Sequence, residues 1–304
     1  MSQDFDSKVV VITGSARGIG FGLARYLASA GAAVVVNDAG LELNGSSGDP
    51  GLAQHVAEEI RRQGGRAVAS GDSIARPATA EGLVELALQE FGRLDVWVNG
   101  AAITSDRMLF NMTDEEWSRV IDVNLSGAFY CLRAALRHMR QRRAGKVINV
   151  VSTSGLIGNV GQANYAASKA GLVALTRVAA MEMIRYDVYV NCVAPFACTR
   201  MTESLKGTTP EQQAYLERAR RARVEHIMPF LAYLASDASD GITGQVFGAR
   251  GNEIFLFSQP RPVRSVGRAG GWTLEGAQRA VDTLRPGFTS LETDLELFQY
   301  EPLV

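Results

Sequence analysis

The chain has 304 residues, 46% of them hydrophobic, with 31 basic against 32 acidic side chains and a net charge of −1. That balance offers no electrostatic basis for binding nucleic acid or an anionic membrane surface. The length and apolar content suit one packed α/β domain with an appendage.

In chain order, residues 8–13 form a short β-branched run and predict a strand. The strand opens too early to leave room for a secretory leader ahead of it. The glycine-rich segment Thr13-Gly14-Ser15-Ala16-Arg17-Gly18-Ile19-Gly20 follows at once, and helical spacing of apolar residues follows that. Strand, glycine turn and helix in this order make a phosphate cradle. The glycines let a pyrophosphate approach the backbone, and the helix start supplies N–H groups and a favourable dipole. Gly14, Arg17, Gly18, Ile19 and Gly20 are therefore candidate dinucleotide contacts. A second strand, 32–37, ends at Asp38. An acidic side chain about 20 positions beyond the glycines accepts the adenosine ribose hydroxyls and repels a 2′-phosphate. Asp38 thus points to NAD over NADP, with Arg17 as the dissenting residue. The polar stretch 41–51 reads as a surface insertion.

Further strands are expected at 66–71, 94–99, 145–151 and 187–193, and a seventh near 245–257. Helical patterns at 114–141 and 162–185 lie between them. This alternation predicts a Rossmann-type, doubly wound parallel sheet of about seven strands. Its ligands bind at the carboxyl ends of the strands. Ser152 follows the fifth strand. Tyr165 and Lys169 stand four apart on one helical face. A cation beside a phenol lowers its pKa, and a hydroxyl such as Ser152 polarises a carbonyl oxygen. That grouping suits proton transfer coupled to hydride transfer.

The histidines His55, His138 and His226 are scattered, so no metal site is expected. Cys131 and Cys192 lie in apolar surroundings and read as core thiols, which fits a reducing compartment. No apolar run approaches the roughly 20 residues of a membrane helix. The final residues, Tyr300-Glu301-Pro302-Leu303-Val304, are not a peroxisomal signal. The expected location is the cytoplasm.

Together these motifs resemble the short-chain dehydrogenase/reductase family over about residues 5–250. The resemblance implies a tetrad of Asn124, Ser152, Tyr165 and Lys169, with Asn124 holding a water in a proton relay. It implies cofactor contacts from Asp72, Ser73, Asn99, Pro195 and Thr199, a substrate lid at 199–228, and a homotetramer or homodimer. Tyr165 and Lys169 would also touch the cofactor. A closer likeness joins Val36–Gly40, Glu58–Gly65, Asp72-Ser73, Asp106-Arg107 and Ser154–Tyr165 to a further branch. That branch is the (3R)-hydroxyacyl-CoA dehydrogenase part of peroxisomal multifunctional β-oxidation enzymes. It implies a secondary alcohol substrate of the acyl-CoA type. A hydroxysteroid or another bulky alcohol is the alternative within the same chemistry. A cofactor-binding protein without catalysis and a sugar-nucleotide epimerase are rivals from other classes.

Two departures from the family pattern stand out, Asn99-Gly100-Ala101-Ala102 after the fourth strand and Pro195-Phe196 after the sixth. Phe196, Met201 and Leu205 are candidate pocket residues. The arginines of Glu217–Arg223 and Arg107 are candidate CoA-phosphate contacts, with a solvated charged face as the plainer reading of the run. The domain is expected to span 1–257. Residues 258–304 form an unusual tail, too short for its own core, that covers the domain or an oligomer interface. Phe288, Leu291, Leu295, Leu297 and Phe298 are its candidate packing residues.

Overall fold

The computed structural model describes residues 5–203 and 210–304. Eight strands form one sheet in the order β3-β2-β1-β4-β5-β6-β7-β8. They are β1 (Val9–Thr13), β2 (Ala33–Asn37), β3 (Arg66–Ser70), β4 (Val96–Asn99), β5 (Gly145–Val150), β6 (Val188–Phe196), β7 (Val246–Arg250) and β8 (Glu253–Leu256). The first seven run parallel, and β8 pairs antiparallel with β7. The eighth strand exceeds the expected seven because the 245–257 segment folds back on itself. Arg250 pairs with Glu253 across Gly251 and Asn252, and Gly251 takes φ +56°, so a two-residue turn closes a hairpin.

Side-chain alternation along β1 sends Val10 and Ile12 into one core and Val9 and Val11 into the other. The first core packs under α1 (Gly18–Ser29), α2 (Leu52–Arg62) and α9 (Val224–Ala235). The second packs under α3 (Pro77–Phe91), α5 (Ala128–Arg142) and α6 (Ala163–Met183). The helical pattern expected over 114–141 holds without a break, with one change of winding inside it. A capping box of Thr113 and Glu116 starts α4 (Asp114–Ile121), and a π-turn, Asp122–Gly127, separates α4 from α5. Such wide turns recur at functional sites.

The 199–228 region contains α7 (Arg200–Glu203) and α8 (Pro210–Arg221); Leu205 lies outside the described residues. The tail carries α10 (Leu274–Leu284) and α11 (Asp294–Leu297). Its candidate packing residues, expected to meet the parent domain or a neighbouring subunit, divide within the single chain. Phe288, Leu291 and Leu297 are exposed, and the side chain of Leu295 is outside the description. Of the four whose side chains are described, Phe298 alone is buried, its ring 4.5 Å from that of Phe196 and 5.5 Å from that of Phe255. The buried Arg250 guanidinium donates to the carbonyls of Phe298 and Tyr300, so the tail is held by main chain as well as by a ring. Phe196 sits in extended strand opposite Arg250. The Pro195-Phe196 departure is therefore a docking seat for the tail, and it requires no positive φ.

Replacing Phe298 with Ala removes the one buried ring of the tail. The expected outcome is faster proteolytic cleavage within 258–304 with little change in the melting of the parent domain. A tail as protease-resistant as the parent's would contradict this docking.

Candidate active site

The glycine loop is tight by construction. A Cβ on Gly14, whose φ is +68°, would come within 2.6 Å of the Ala101 backbone nitrogen, and one on Gly20 would strike the Gly14 carbonyl. The Thr13 hydroxyl accepts from the N–H groups of Gly100 and Ala101 at 3.2 and 3.3 Å, locking the loop to the end of β4. Gly100 belongs there too, since a Cβ would lie 2.8 Å from the Thr13 carbonyl oxygen. The Asn99-Gly100-Ala101-Ala102 departure thus meets a close approach of two strand ends. At the start of α1, Arg17 makes no side-chain capping bond, and the first turn holds no acidic residue. Its leading N–H groups are suited to an anion. Thr199 packs over Gly18, with its methyl 3.3 Å from where a Cβ would stand.

A cleft of about 270 Å³ runs along these strand ends. Gly14, Arg17, Gly18, Ile19, Gly20, Asp38, Asp72, Ser73, Ser152, Tyr165, Lys169, Pro195 and Thr199 all line it. Asp38 accepts from the N–H groups of Ala16 and Gly40 at 3.0 and 2.8 Å, which fixes its carboxylate at the cleft. Asn37 donates to the Ser70 and Asp72 carbonyls and so ties the end of β2 to the end of β3. The polar insertion is no free surface loop. Leu41 and Leu43 line the cleft, and the Leu43 carbonyl accepts from the Thr104 N–H at 2.8 Å. Arg17 and Arg200 both donate to the Leu41 carbonyl, at 3.2 and 3.0 Å. Arg200, a second cation at this end, follows Thr199 directly and was legible only by that adjacency.

Two expected residues stand elsewhere. The Asn99 side chain does not line the cleft. It accepts from the Trp97 indole at 2.8 Å and donates to Asn149 at 2.8 Å, and Asn149 donates to Thr176 of α6. Strand parity explains this. Asn99 shares a sheet face with the fully buried Trp97, so it points into the core and not toward a cofactor. Gly100, Ala101 and Ala102 line the cleft in its place. Asn124 is also buried off the cleft. It accepts from the Ile103 N–H, donates to the Ile103 carbonyl at 2.9 Å, and lies 3.4 Å from the Ser168 hydroxyl. Its amide holds the π-turn to the β4–α4 connection.

Tyr165 and Lys169 lie on one face of α6, both buried, and the ammonium sits 5.6 Å from the ring centroid. Asn164, unnoticed in the sequence, anchors the first turn of this helix. It accepts from the Tyr165 N–H at 2.7 Å and donates to the Ser105 and Glu116 carbonyls. Lys169 donates to the Val150 carbonyl at 2.9 Å. The ionisation runs against the sequence expectation. Burial pushes Tyr165 up to about 12; the Ser152 hydroxyl opposes that rise, and the carboxylates of Asp106 and Asp294 add to it. Burial pushes Lys169 down to about 8. Desolvation penalises both charged forms and outweighs their mutual support.

A second cavity, of about 810 Å³, adjoins the cleft and shares Ser152, Tyr165, Pro195, Ala197 and Thr202 with it. Phe196, Tyr215, Arg218 and Arg250 line this cavity, as do Thr293, Asp294, Glu296 and Gln299 from the tail. Of the arginine run, Arg218 reaches the cavity and Arg221 pairs with Glu301. Arg107 is held by Glu116 at 2.7 Å. The side chain of Met201 is outside the description. Among the described residues, no cluster of three His, Cys, Asp or Glu side chains is arranged to hold a metal ion, and no helix is long and apolar enough to cross a membrane.

A family profile described as short chain dehydrogenase matches residues 8–212. A hydroxyacyl-CoA dehydrogenase ChsB1 of Mycobacterium tuberculosis is 40% identical over 86% of this chain and 83% of its own length. A peroxisomal hydratase-dehydrogenase-epimerase of Neurospora crassa is 37% identical over 82% of this chain, and the chain spans only 27% of that relative's length. The crystal structure of a short chain dehydrogenase from Mycobacterium avium superposes with a TM-score of 0.81 at 35% identity, covering 95% of this chain and 98% of that one.

Asn99→Leu leaves the Trp97 indole N–H and the Asn149 carbonyl oxygen without their buried partner. The expected cost is about 1–3 kcal/mol in urea unfolding. A variant as stable as the parent would contradict the structural assignment of Asn99.

Proposed function

This chain belongs to the short chain dehydrogenase family and is an oxidoreductase of CH–OH groups, and we propose that it interconverts a (3R)-hydroxyacyl-CoA and a 3-oxoacyl-CoA with NAD. One observation carries the reading. A phosphate-cradling cleft and a larger cavity meet at the hydroxyls of Ser152 and Tyr165. The nicotinamide group, when bound, supplies or accepts the hydride. The glycine loop and the first turn of α1 hold the pyrophosphate, and Asp38 accepts from the ribose. Ser152 orients and polarises the substrate oxygen. Tyr165 gives a proton to that oxygen in reduction and takes it back in oxidation. Lys169 holds the nicotinamide ribose and supports the phenolate. Asn124 fixes the turn behind them.

At neutral pH the raised phenol is the protonated form, ready to donate, which suits ketone reduction. The acyl-CoA assignment is supported by the named relatives and by a cavity with Arg218 at its edge and Phe196 in its wall. NAD is supported by Asp38, against which Arg17 and Arg200 stand as opposing cations. We place the protein in the cytoplasm as a homotetramer or homodimer, acting on a small molecule and on neither nucleic acid nor membrane. The buried thiols Cys131 and Cys192 suit that reducing compartment.

Three outcomes are expected. Tyr165→Phe lowers turnover by about a thousandfold while NAD binding persists, measured by nicotinamide absorbance and by calorimetry; equal turnover would defeat the role of Tyr165. The rate of alcohol oxidation rises with pH through the neutral and alkaline range, because the base form grows toward the raised phenol pKa; a rate that falls over that range would contradict it. The parent binds NAD more tightly than NADP, and Asp38→Ala narrows that gap by about tenfold in relative Kd; an unchanged ratio would remove Asp38 from cofactor choice.

A further inference from the structure

Thr153 follows Ser152, and its hydroxyl donates to the Asp294 carboxylate at 2.6 Å, across 141 positions of sequence. Both side chains are buried, at 5% and 6% exposure. Asp294 opens α11 behind a capping box of Thr293 and Glu296, so its backbone direction is set locally. The chain just beyond it is fastened to the parent domain, by the Phe298 ring on Phe196 and by the Arg250 guanidinium on two carbonyls. Those fastenings bring a carboxylate to the wall of the cavity that Tyr165 also lines.

We propose that Asp294 is a positioning residue of the catalytic centre. It holds the Ser152 turn through Thr153, and it sets the charge that the Tyr165 hydroxyl faces. The proposal deepens the dehydrogenase reading and rests on it.

The charged and titratable groups around this point come from every packed element. Asp106 enters from the β4–α4 connection, where Gln162 donates to it at 2.9 Å. Tyr215 and Arg218 enter from α8, Arg250 from β7 and Glu296 from α11. Lys169, on α6, lies with its ammonium 5.6 Å from the phenol ring centroid. Asp106 and Asp294 both oppose ionisation of Tyr165. A carboxylate here therefore favours the neutral phenol, the form that donates a proton to a ketone oxygen. Removing its charge makes the phenol easier to ionise, so the phenol pKa falls.

Two variants separate the contributions. Asp294→Asn keeps an oxygen for Thr153 and removes the charge, whereas Thr153→Val removes the hydrogen bond and keeps the charge. The Tyr165 ionisation is read as the tyrosinate absorbance of each protein minus that of the same protein carrying Tyr165→Phe. Asp294→Asn is expected to lower this midpoint by roughly a few tenths of a pH unit, since burial is the larger cause of the rise. It moves the rising limb of the oxidation profile in the same direction. Thr153→Val does not lower the midpoint, since a displaced Ser152 can only raise it, and lowers kcat about tenfold with KM for the cofactor unchanged. A midpoint for Asp294→Asn equal to the parent's overturns the electrostatic role. Full kcat in Thr153→Val overturns the positioning role. The absorbance titration needs no turnover, so it decides the electrostatic role even when the parent reduces no ketone, a result that would overturn only the dehydrogenase reading.

Discussion

Burial of a phenol and an ammonium side by side on α6 is the constraint on which the site depends. Low polarity around Tyr165 and Lys169 raises one and lowers the other, so neither keeps its ordinary ionisation. A neighbouring cation alone would give the opposite sign for the tyrosine. A phenol is already protonated at neutral pH, and the rise to about 12 keeps Tyr165 protonated further into the alkaline range, with Ser152 opposing the rise and Asp106 and Asp294 adding to it. Every element that meets there serves the same placement. Asn164 fixes the start of α6, the Asn99–Asn149–Thr176 chain ties α6 to the sheet, and Asn124 holds the π-turn beside it.

The two departures from the family pattern find physical reasons in this arrangement. Gly100 stands where a side chain would strike the Thr13 carbonyl, so the small residue suits a tight meeting of β1 and β4. Phe196 replaces a turn residue with strand, and its ring receives Phe298. The change in the sixth strand and the C-terminal tail thus form one feature. The tail contributes to the wall of the substrate cavity, while most of its other apolar side chains, including Leu274 and Leu291, remain exposed.

Much of the fold was legible because short continuous apolar runs, rich in β-branched residues, alternate with helical spacing, and because strand, glycine turn and helix follow one another without a break. The cleft was legible at Gly14, Gly18 and Asp38 for the same local reason. What was not legible was non-local. The contact from Asp294 to Thr153 spans 141 positions, and no motif announces it. The eighth strand lay in a segment where two runs, 244–247 and 253–257, were both candidates for the seventh, and both form strands on either side of the turn at Gly251 and Asn252. Asn99 was misread because a family role was carried over before strand parity was considered; Trp97, two residues earlier, already showed which way that side chain points. The sign of the Tyr165 shift required knowing how deeply the pair is buried, which spacing cannot supply.

The most direct measurement is the nicotinamide absorbance on mixing the parent protein with NADH and a panel of 3-oxoacyl-CoA and ketosteroid substrates. The account predicts oxidation of NADH with the acyl-CoA ketones. Tight cofactor binding with no absorbance change on any ketone in the panel would contradict it.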